Sequence, residues 1–134
     1  MKSTLLITLA ASLAAATSVL AQAAKLPPAS TKENITYATE IKPLFDANCV
    51  KCHSGDRPKA HLKLDTLEGI RKGNKWGSPV KAGDAAGSIL VKAVAHQMKD
   101  HDGWMPPIPN KAGAKTLTPE EIGLVIGWIN QGAK

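Results

Sequence analysis

The two cysteines of the chain, Cys49 and Cys52, are separated by two residues and followed directly by His53. This C-x-x-C-H spacing is the signature of covalent haem attachment. Two thiols three positions apart lie about one helical turn apart, so both can reach the vinyl-derived carbons on one edge of a porphyrin. The adjacent imidazole can then offer a nitrogen to the iron. The motif therefore predicts one covalent haem, attached at Cys49 and Cys52 and ligated by His53.

Three other uses of this motif were weighed against haem attachment. A redox disulfide is expected within a βαβ pattern, which the chain lacks. A zinc site would need His96 and His101 as further ligands, and the gap from Cys52 to His96 is longer than in a compact zinc finger. A structural disulfide across a two-residue loop would restrict the unfolded chain only slightly. Covalent haem is the interpretation that we adopt.

A second iron ligand is expected from the proline-rich segment 98–109. Met105 precedes Pro106 and Pro107, and prolines stiffen the backbone that must hold a weak thioether ligand in place. We predict Met105 as the distal ligand, with Met98 as the rival sulfur. Three histidines are rival nitrogen ligands: His61, His96 and His101. A methionine that only fills the core is the simplest alternative for Met105.

Residues 1–23 have the features of a secretory signal peptide. Lys2 precedes an uncharged apolar run from Leu5 to Leu20, and Ala21-Gln22-Ala23 fits an A-x-A cleavage pattern. The alternative, an uncleaved membrane anchor, is less compatible with the small residues that end the run. Because c-type haem is attached outside the cytoplasm, the signal and the motif support each other. We expect a periplasmic protein with no stable membrane insertion after cleavage.

The chain after cleavage is long enough for one domain, since 134 − 23 = 111 residues remain. Residues 24–36 are polar and contain a proline pair, which predicts a flexible leader. Residues 37–134 are predicted to form a single haem domain, because the chain has no second C-x-x-C-H motif and no internal repeat.

Four helices are predicted: a short one that begins near Asp65, and three that position the motif. The first, from about Thr39 to Asn48, delivers Cys49 at its C-terminal end. The second begins near Asp84, a good N-cap residue, and runs to about Gln97. The third begins at Thr118-Pro119-Glu120-Glu121, which supplies an N-cap, a proline at the first helical position and a capping-box glutamate. Gly123 and Gly127 would leave a flat strip on this helix where the first helix could cross.

The motif, the methionine segment and the closing helix together resemble a class I cytochrome c, and more closely the planctomycete-type cytochrome c domain. The similarity extends over about residues 37–134. It rests on these segments: Cys49-Val50-Lys51-Cys52-His53, Leu62-Lys63-Leu64-Asp65, Val80-Lys81-Ala82-Gly83-Asp84, Ser88-Ile89-Leu90, Met105-Pro106-Pro107 and Leu117 to Ala133. One departure is Ser54, where many class I members have glycine.

The resemblance implies an all-α class I cytochrome c fold, with three to five helices wrapped around one covalent haem c. It also implies Cys49 and Cys52 as thioether attachments, His53 as proximal ligand and Met105 as distal ligand. A filled distal position leaves no site for a substrate, so we expect a periplasmic electron-transfer protein and not an enzyme.

Two alternatives stay open. One is a haem subunit of a periplasmic dehydrogenase complex, and the other is a haem sensor or enzyme with an open distal site. The expected partners are periplasmic redox proteins: a dehydrogenase as donor, and an oxidase or another cytochrome as acceptor. Nucleic acid is not expected as a partner of an exported haem protein.

Without Lys2 the formal charge falls from 17 − 11 = +6 to 16 − 11 = +5. Basic residues lie on both sides of the motif and beyond it: Lys42, Lys51, Arg57, Lys59, Lys63, Arg71, Lys72 and Lys75. Such a surface can steer an acidic partner towards the haem. An ordinary solvated surface explains the same pattern equally well.

Overall fold

The computed structural model describes residues 25–134, and the signal peptide predicted at 1–23 lies outside this range. The described residues form helices joined by loops and contain no strand beyond one isolated bridge between Asn74 and Gly77. The predicted all-α fold is confirmed. None of the helices in residues 25–134 is both long and apolar enough to cross a membrane.

Residues 25–134 contain four α-helices and three shorter helical turns. The α-helices are α1 (Lys42–Asn48), α2 (Leu67–Lys72), α3 (Ile89–Val94) and α4 (Pro119–Asn130). A π-helical turn at Tyr37–Ile41 leads directly into α1, and 3-10 turns lie at Lys59–His61 and His101–Gly103. The predicted first and last helices are therefore present with nearly the predicted bounds.

Helix α4 begins where its capping signal predicts. The hydroxyl of Thr118 accepts the backbone N–H of Glu121 at 3.2 Å, and the Glu121 carboxylate accepts the backbone N–H of Thr118 at 2.8 Å. These reciprocal bonds satisfy two backbone donors that a helix start would otherwise leave unpaired. Pro119 loses nothing at this position, because the first helical residue has no intrahelical acceptor for an N–H.

Three aromatic rings join the first helical segment to α4. Trp128 and Phe45 are both fully buried, and their rings meet edge to face with centroids 6.4 Å apart. Tyr37 lies 6.2 Å from the Trp128 ring and 6.4 Å from the Phe45 ring. Edge-to-face pairs contribute about 0.5–1.5 kcal/mol beyond their buried area. This cluster fixes α1, and thus the residue that follows it, against the longest helix of the fold.

Residues 25–36, predicted as a flexible leader, lie along α4. The backbone N–H of Ser30 donates to the Gly123 carbonyl at 2.8 Å, and Ile35 is buried. A Cβ added at Gly123 would lie 2.6 Å from the Pro28 carbonyl oxygen, and one at Gly127 would lie 2.9 Å from Ile35 Cδ1. The flat glycine strip therefore receives this extended segment, and not the helix that the sequence interpretation assigned to it.

Helix α3 begins five residues later than predicted. Asp84 does not cap it, because its carboxylate instead accepts the backbone N–H of Gly87 at 2.8 Å within a turn. The Ser88 hydroxyl donates to the Asp84 carbonyl and closes the same turn. Helix α3 starts only after this turn. The prediction of a helix from Asp84 was wrong at its start, because a short acidic side chain caps a turn as readily as a helix.

Candidate haem site

The attachment motif begins at the C-cap of α1. The backbone N–H of Cys49 donates to the Phe45 carbonyl at 2.7 Å, which is the last bond of the helix. The Cys49 carbonyl then accepts the N–H groups of Cys52 and His53, at 3.1 and 3.0 Å. The motif is thus a compact turn that continues from a helix whose Phe45 is buried in the aromatic cluster. Cys49, Cys52 and His53 are brought together as the spacing predicts.

The two cysteines are free thiols, and the chemistry of Cys49 differs from that of a redox cysteine. Burial raises the pKa of the Cys49 thiol to about 12. A thiol–disulfide exchange centre needs the opposite shift, which a helix N-terminus or a nearby cation usually provides. Cys49 lies instead at the C-terminal end of α1, where the helix dipole disfavours a thiolate. This geometry argues against the redox-disulfide interpretation of the motif.

His53 is a buried imidazole with one nitrogen already engaged. Its Nδ1 lies 3.1 Å from the Lys59 carbonyl oxygen. Burial lowers the pKa of His53 and outweighs its backbone hydrogen bonds, which raise it. A carbonyl oxygen can only accept, so Nδ1 carries the proton of the neutral ring and Nε2 keeps its lone pair. A histidine held in this tautomer is suited to bind a metal through Nε2.

The segment after the motif folds back to provide that carbonyl. The Lys59 N–H donates to the Cys52 carbonyl and the Leu64 N–H donates to the His53 carbonyl, both at 2.8 Å. Ser54, the departure from the class I pattern, donates its hydroxyl to the Val50 carbonyl at 2.6 Å. The hydroxyl at this position therefore satisfies a carbonyl of the motif itself. Sequence reasoning missed the role of Lys59, because a backbone carbonyl has no residue signature.

Met105 is placed on a separate loop that is tied to α3. Its backbone N–H donates to the Ala93 carbonyl at 3.0 Å, and its half-buried side chain packs against the core. The preceding residue, Trp104, donates its indole N–H to the Met98 carbonyl at 3.0 Å. These two bonds anchor the loop at Met105 and at the residue before it. Ligation by Met105 stays a prediction.

The rival ligands on this loop take part in packing. The imidazole of His96 stacks on the Trp104 ring at 4.9 Å and an angle of 6°, and the His101 ring lies 4.0 Å from the same ring. The Met98 side chain lies over Gly103, where an added Cβ would be 3.1 Å from it. His61 is exposed on the other side of the motif. Packing thus occupies the Met98 and His101 side chains, whereas the buried Nε2 of His96 has no hydrogen-bond partner. The choice of Met105 over these rivals stays a prediction.

The zinc alternative finds no ligand set in residues 25–134. No three His, Cys, Asp or Glu side chains within this range are grouped closely enough to hold a metal ion. By contrast, a haem would use what the motif offers: two free thiols and a neutral imidazole with a free Nε2. The residues present therefore fit a covalent haem.

An all-α fold whose first helix ends in a C-x-x-C-H turn defines a c-type cytochrome. Residues 49–108 match the family model described as Planctomycete cytochrome C, so the resemblance seen in the sequence is confirmed for this segment. The match of this segment to a cytochrome c family supports covalent haem c as its cofactor. The matched region begins at Cys49 and includes His53 and Met105.

No curated protein matches the sequence. Among solved structures, the chain is similar to Kuenenia stuttgartiensis Hydrazine Synthase at 23% identity, with a TM-score of 0.43. The similarity covers 74% of this chain, which spans only 16% of the length of that one. A similarity at this level does not bear on function.

Proposed function

We propose that this protein is a periplasmic electron carrier, and not an enzyme, with one covalent haem c ligated by His53 and Met105. The observation that carries the proposal is the bond between His53 Nδ1 and the Lys59 carbonyl. It leaves Nε2 unprotonated on the same turn as the Cys49 thiol, whose pKa burial raises to about 12. Such a turn suits permanent attachment of a cofactor better than reversible sulfur chemistry.

Each residue of the site has a defined task in this proposal. Cys49 and Cys52 form the two thioether bonds, and His53 supplies the proximal nitrogen. The Lys59 carbonyl orients the imidazole and increases its basicity, as outer hydrogen bonds to ligating histidines generally do. Met105 fills the distal position and so excludes substrates, and its thioether raises the reduction potential. Haem, when bound, accepts and releases one electron at its iron.

The proposed location and partners follow from the family and the charge. Planctomycete cytochrome c domains are typically extracytoplasmic, and the apolar run of residues 5–20 suits export. We propose a dehydrogenase as donor and an oxidase or another cytochrome as acceptor. The formal excess of cations, 16 − 11 = +5 without Lys2, supports partners with acidic surfaces.

Visible spectra and a haem stain test this function together. After co-expression with a cytochrome c maturation system, the denatured polypeptide should keep its haem stain. The native spectrum should be low-spin in both oxidation states and unchanged by carbon monoxide. The double variant Cys49→Ser/Cys52→Ser is the matched control, because it keeps side-chain size and His53 but cannot form thioethers. Its stain should be lost on denaturation.

Three results would contradict the proposal, each in a different way. Haem that washes out of the denatured wild-type protein would exclude covalent attachment. Stoichiometric zinc in place of iron would revive the alternative metal site. Rapid carbon monoxide binding by the wild-type protein would show an open distal position, and the sensor or enzyme alternative would then replace the electron carrier.

A further inference from the structure

We propose that Trp76 and the cations around it form the docking surface for an acidic electron-transfer protein, with Trp76 as its apolar anchor. The proposal rests on the proposed electron-carrier function and adds to it the place and the chemistry of partner binding. Three observations carry it: the distribution of charge, the rigidity of the turn that presents Trp76, and the connection of this turn to the attachment motif.

The positive charge of residues 25–134 is concentrated in one segment. Residues 57–81 contain seven Lys or Arg and two Asp or Glu, which gives 7 − 2 = +5. The rest of the described chain contains nine of each, so its formal charge is 9 − 9 = 0. Both ion pairs found in the described residues, Lys32–Glu40 and Lys42–Asp46, lie outside the segment. The cations of the segment therefore form no ion pair within residues 25–134, and of its two arginines Arg71 donates to the Ala133 carbonyl at 3.4 Å.

Trp76 is the most exposed large apolar side chain of the described residues, at 72%. It lies beside Lys75, whose Nζ is 4.4 Å from the ring centroid, and the exposed Arg71 and Lys72 precede it in the chain by five and four residues. An indole exposed to water contributes little to the stability of the isolated protein. Tryptophan and arginine dominate the energetics of protein interfaces, and aromatic anchors are effective when they fill a pocket of the partner.

The turn that carries Trp76 is held by the backbone on both sides. The Asn74 N–H donates to the Gly77 carbonyl at 3.1 Å, and the Gly77 N–H donates to the Asn74 carbonyl at 2.8 Å. The Asn74 side chain accepts the Trp76 N–H at 3.0 Å. Gly73 has φ +64°, and an added Cβ would collide with the Gly77 backbone. A side chain presented by such a preorganised turn loses little entropy on binding.

The same turn is bonded to the segment that orients His53. The Asn74 amide donates to the Ala60 carbonyl at 3.1 Å, and the preceding residue, Lys59, provides the carbonyl bonded to His53 Nδ1. These two hydrogen bonds fix the position of the Trp76 turn relative to the attachment motif. A partner bound at Trp76 would therefore also take a fixed position relative to the motif. This arrangement favours an acidic redox protein over an anionic lipid surface, because a lipid surface gains nothing from a fixed orientation towards the motif.

Stopped-flow reduction tests the proposal with a reduced plant-type [2Fe–2S] ferredoxin as the acidic protein probe. Trp76→Ala should lower the second-order rate constant about tenfold, as expected when an interface anchor is truncated. Ile89→Ala removes another exposed apolar side chain and should leave the rate unchanged. Lys72→Glu/Lys75→Glu should lower the rate and flatten its salt dependence. Lys99→Glu/Lys111→Glu changes the net charge equally and should have a much smaller effect.

Reduction by ascorbate, which needs no docking, separates this proposal from the electron-carrier function. The uncharged variants Trp76→Ala and Ile89→Ala should react with ascorbate at the wild-type rate and keep the wild-type reduction potential. A shifted potential in Trp76→Ala would overturn the proposal, because the ring would then contact the haem. An unchanged ferredoxin rate would overturn it as well.

If Trp76→Ala instead abolished binding only to phosphatidylglycerol–phosphatidylcholine vesicles, the surface would be a lipid site. A wild-type protein that cannot be reduced and reoxidised reversibly would contradict the carrier function itself.

Discussion

The hydroxyl of Tyr37 donates to the backbone carbonyl of Leu64 across 2.9 Å, and the bond is buried. Tyr37 belongs to the turn that starts α1, and Leu64 ends the segment that folds back over His53. The backbone N–H of Leu64 donates to the His53 carbonyl, so both the N–H and the carbonyl of Leu64 are hydrogen-bonded. The phenol therefore connects the aromatic cluster of the core to the attachment motif.

Tyr37→Phe should lower the free energy of unfolding by about 1–2 kcal/mol, since it leaves the ring packing intact but removes a buried hydrogen bond. Urea unfolding followed by far-UV circular dichroism measures this difference. Thr116→Val, which changes an exposed hydroxyl, is the matched control and should be neutral. Equal stability of the Tyr37→Phe and wild-type proteins would show that the bond contributes nothing.

The ionisation of Tyr37 gives a prediction at alkaline pH. Burial, and secondarily the nearby Asp46, raises the pKa of the Tyr37 hydroxyl to about 12. The folded protein thus binds this proton more tightly than the unfolded chain, whose tyrosine has a pKa of about 10. The stability contributed by this group is complete below pH 10 and is lost as the pH rises through 12.

Absorbance of the tyrosinate reports this group directly, because Tyr37 is the one tyrosine in the sequence. The titration midpoint should lie well above 10 in the folded protein and return to about 10 in denaturant. Tyr37→Phe should show no such signal. A midpoint near 10 in the folded state would mean that the hydroxyl is in contact with solvent.

Gly123→Ala should destabilise the protein although alanine is the better helix former by about 1 kcal/mol. The added Cβ would lie 2.6 Å from the Pro28 carbonyl oxygen, so residues 28–30 must move away from α4. Trypsin cleavage after Lys32 should become faster, and gel electrophoresis measures it. Glu120→Ala, at an exposed position of the same helix, should leave cleavage unchanged. A net stabilisation would show that the segment gives way without cost.

Met105→Ala should open the distal position of the haem protein. We expect a shift towards high spin, a lower reduction potential and carbon monoxide binding, all read from visible spectra. Met98→Ala should cause none of these, because the Met98 side chain packs over Gly103. The opposite behaviour of the two variants would identify Met98 as the ligand. This pair of variants tests the assignment of the distal ligand.

The sequence predicts those features of the fold that depend only on residues close together in the chain. The capping box at Thr118 and the C-x-x-C-H turn at Cys49 are local, so their signals are read without knowledge of the fold. The start of α3 was missed because the Asp84 carboxylate accepts the Gly87 N–H in a turn that ends before the helix, and the local sequence does not distinguish such a turn from a helix start. The carbonyl of Lys59 that orients His53 depends on how a loop closes, which no side-chain pattern records.

The glycines of α4 illustrate a different limit. Their spacing indicates that something approaches closely, but a flat strip fits an extended segment as well as a helix. Residues 28–35 occupy it because they can donate and accept hydrogen bonds there: the Gln131 side chain accepts the Ile35 N–H at 3.0 Å and donates to the Lys32 carbonyl at 2.8 Å. Polar composition alone does not distinguish a loose segment from one paired in this way.

The carbonyl of Lys134 accepts two donors, the Tyr37 backbone N–H at 2.7 Å and the Trp128 indole N–H at 3.0 Å. The turn that begins the first helix is thus paired with a residue 97 positions later in the chain. Contacts of such long sequence separation are formed late and slow the folding of a domain. Until the C-terminal residues dock, the helix that ends before Cys49 therefore lacks its packing partner. The two thiols stay open to covalent modification until the fold closes around them.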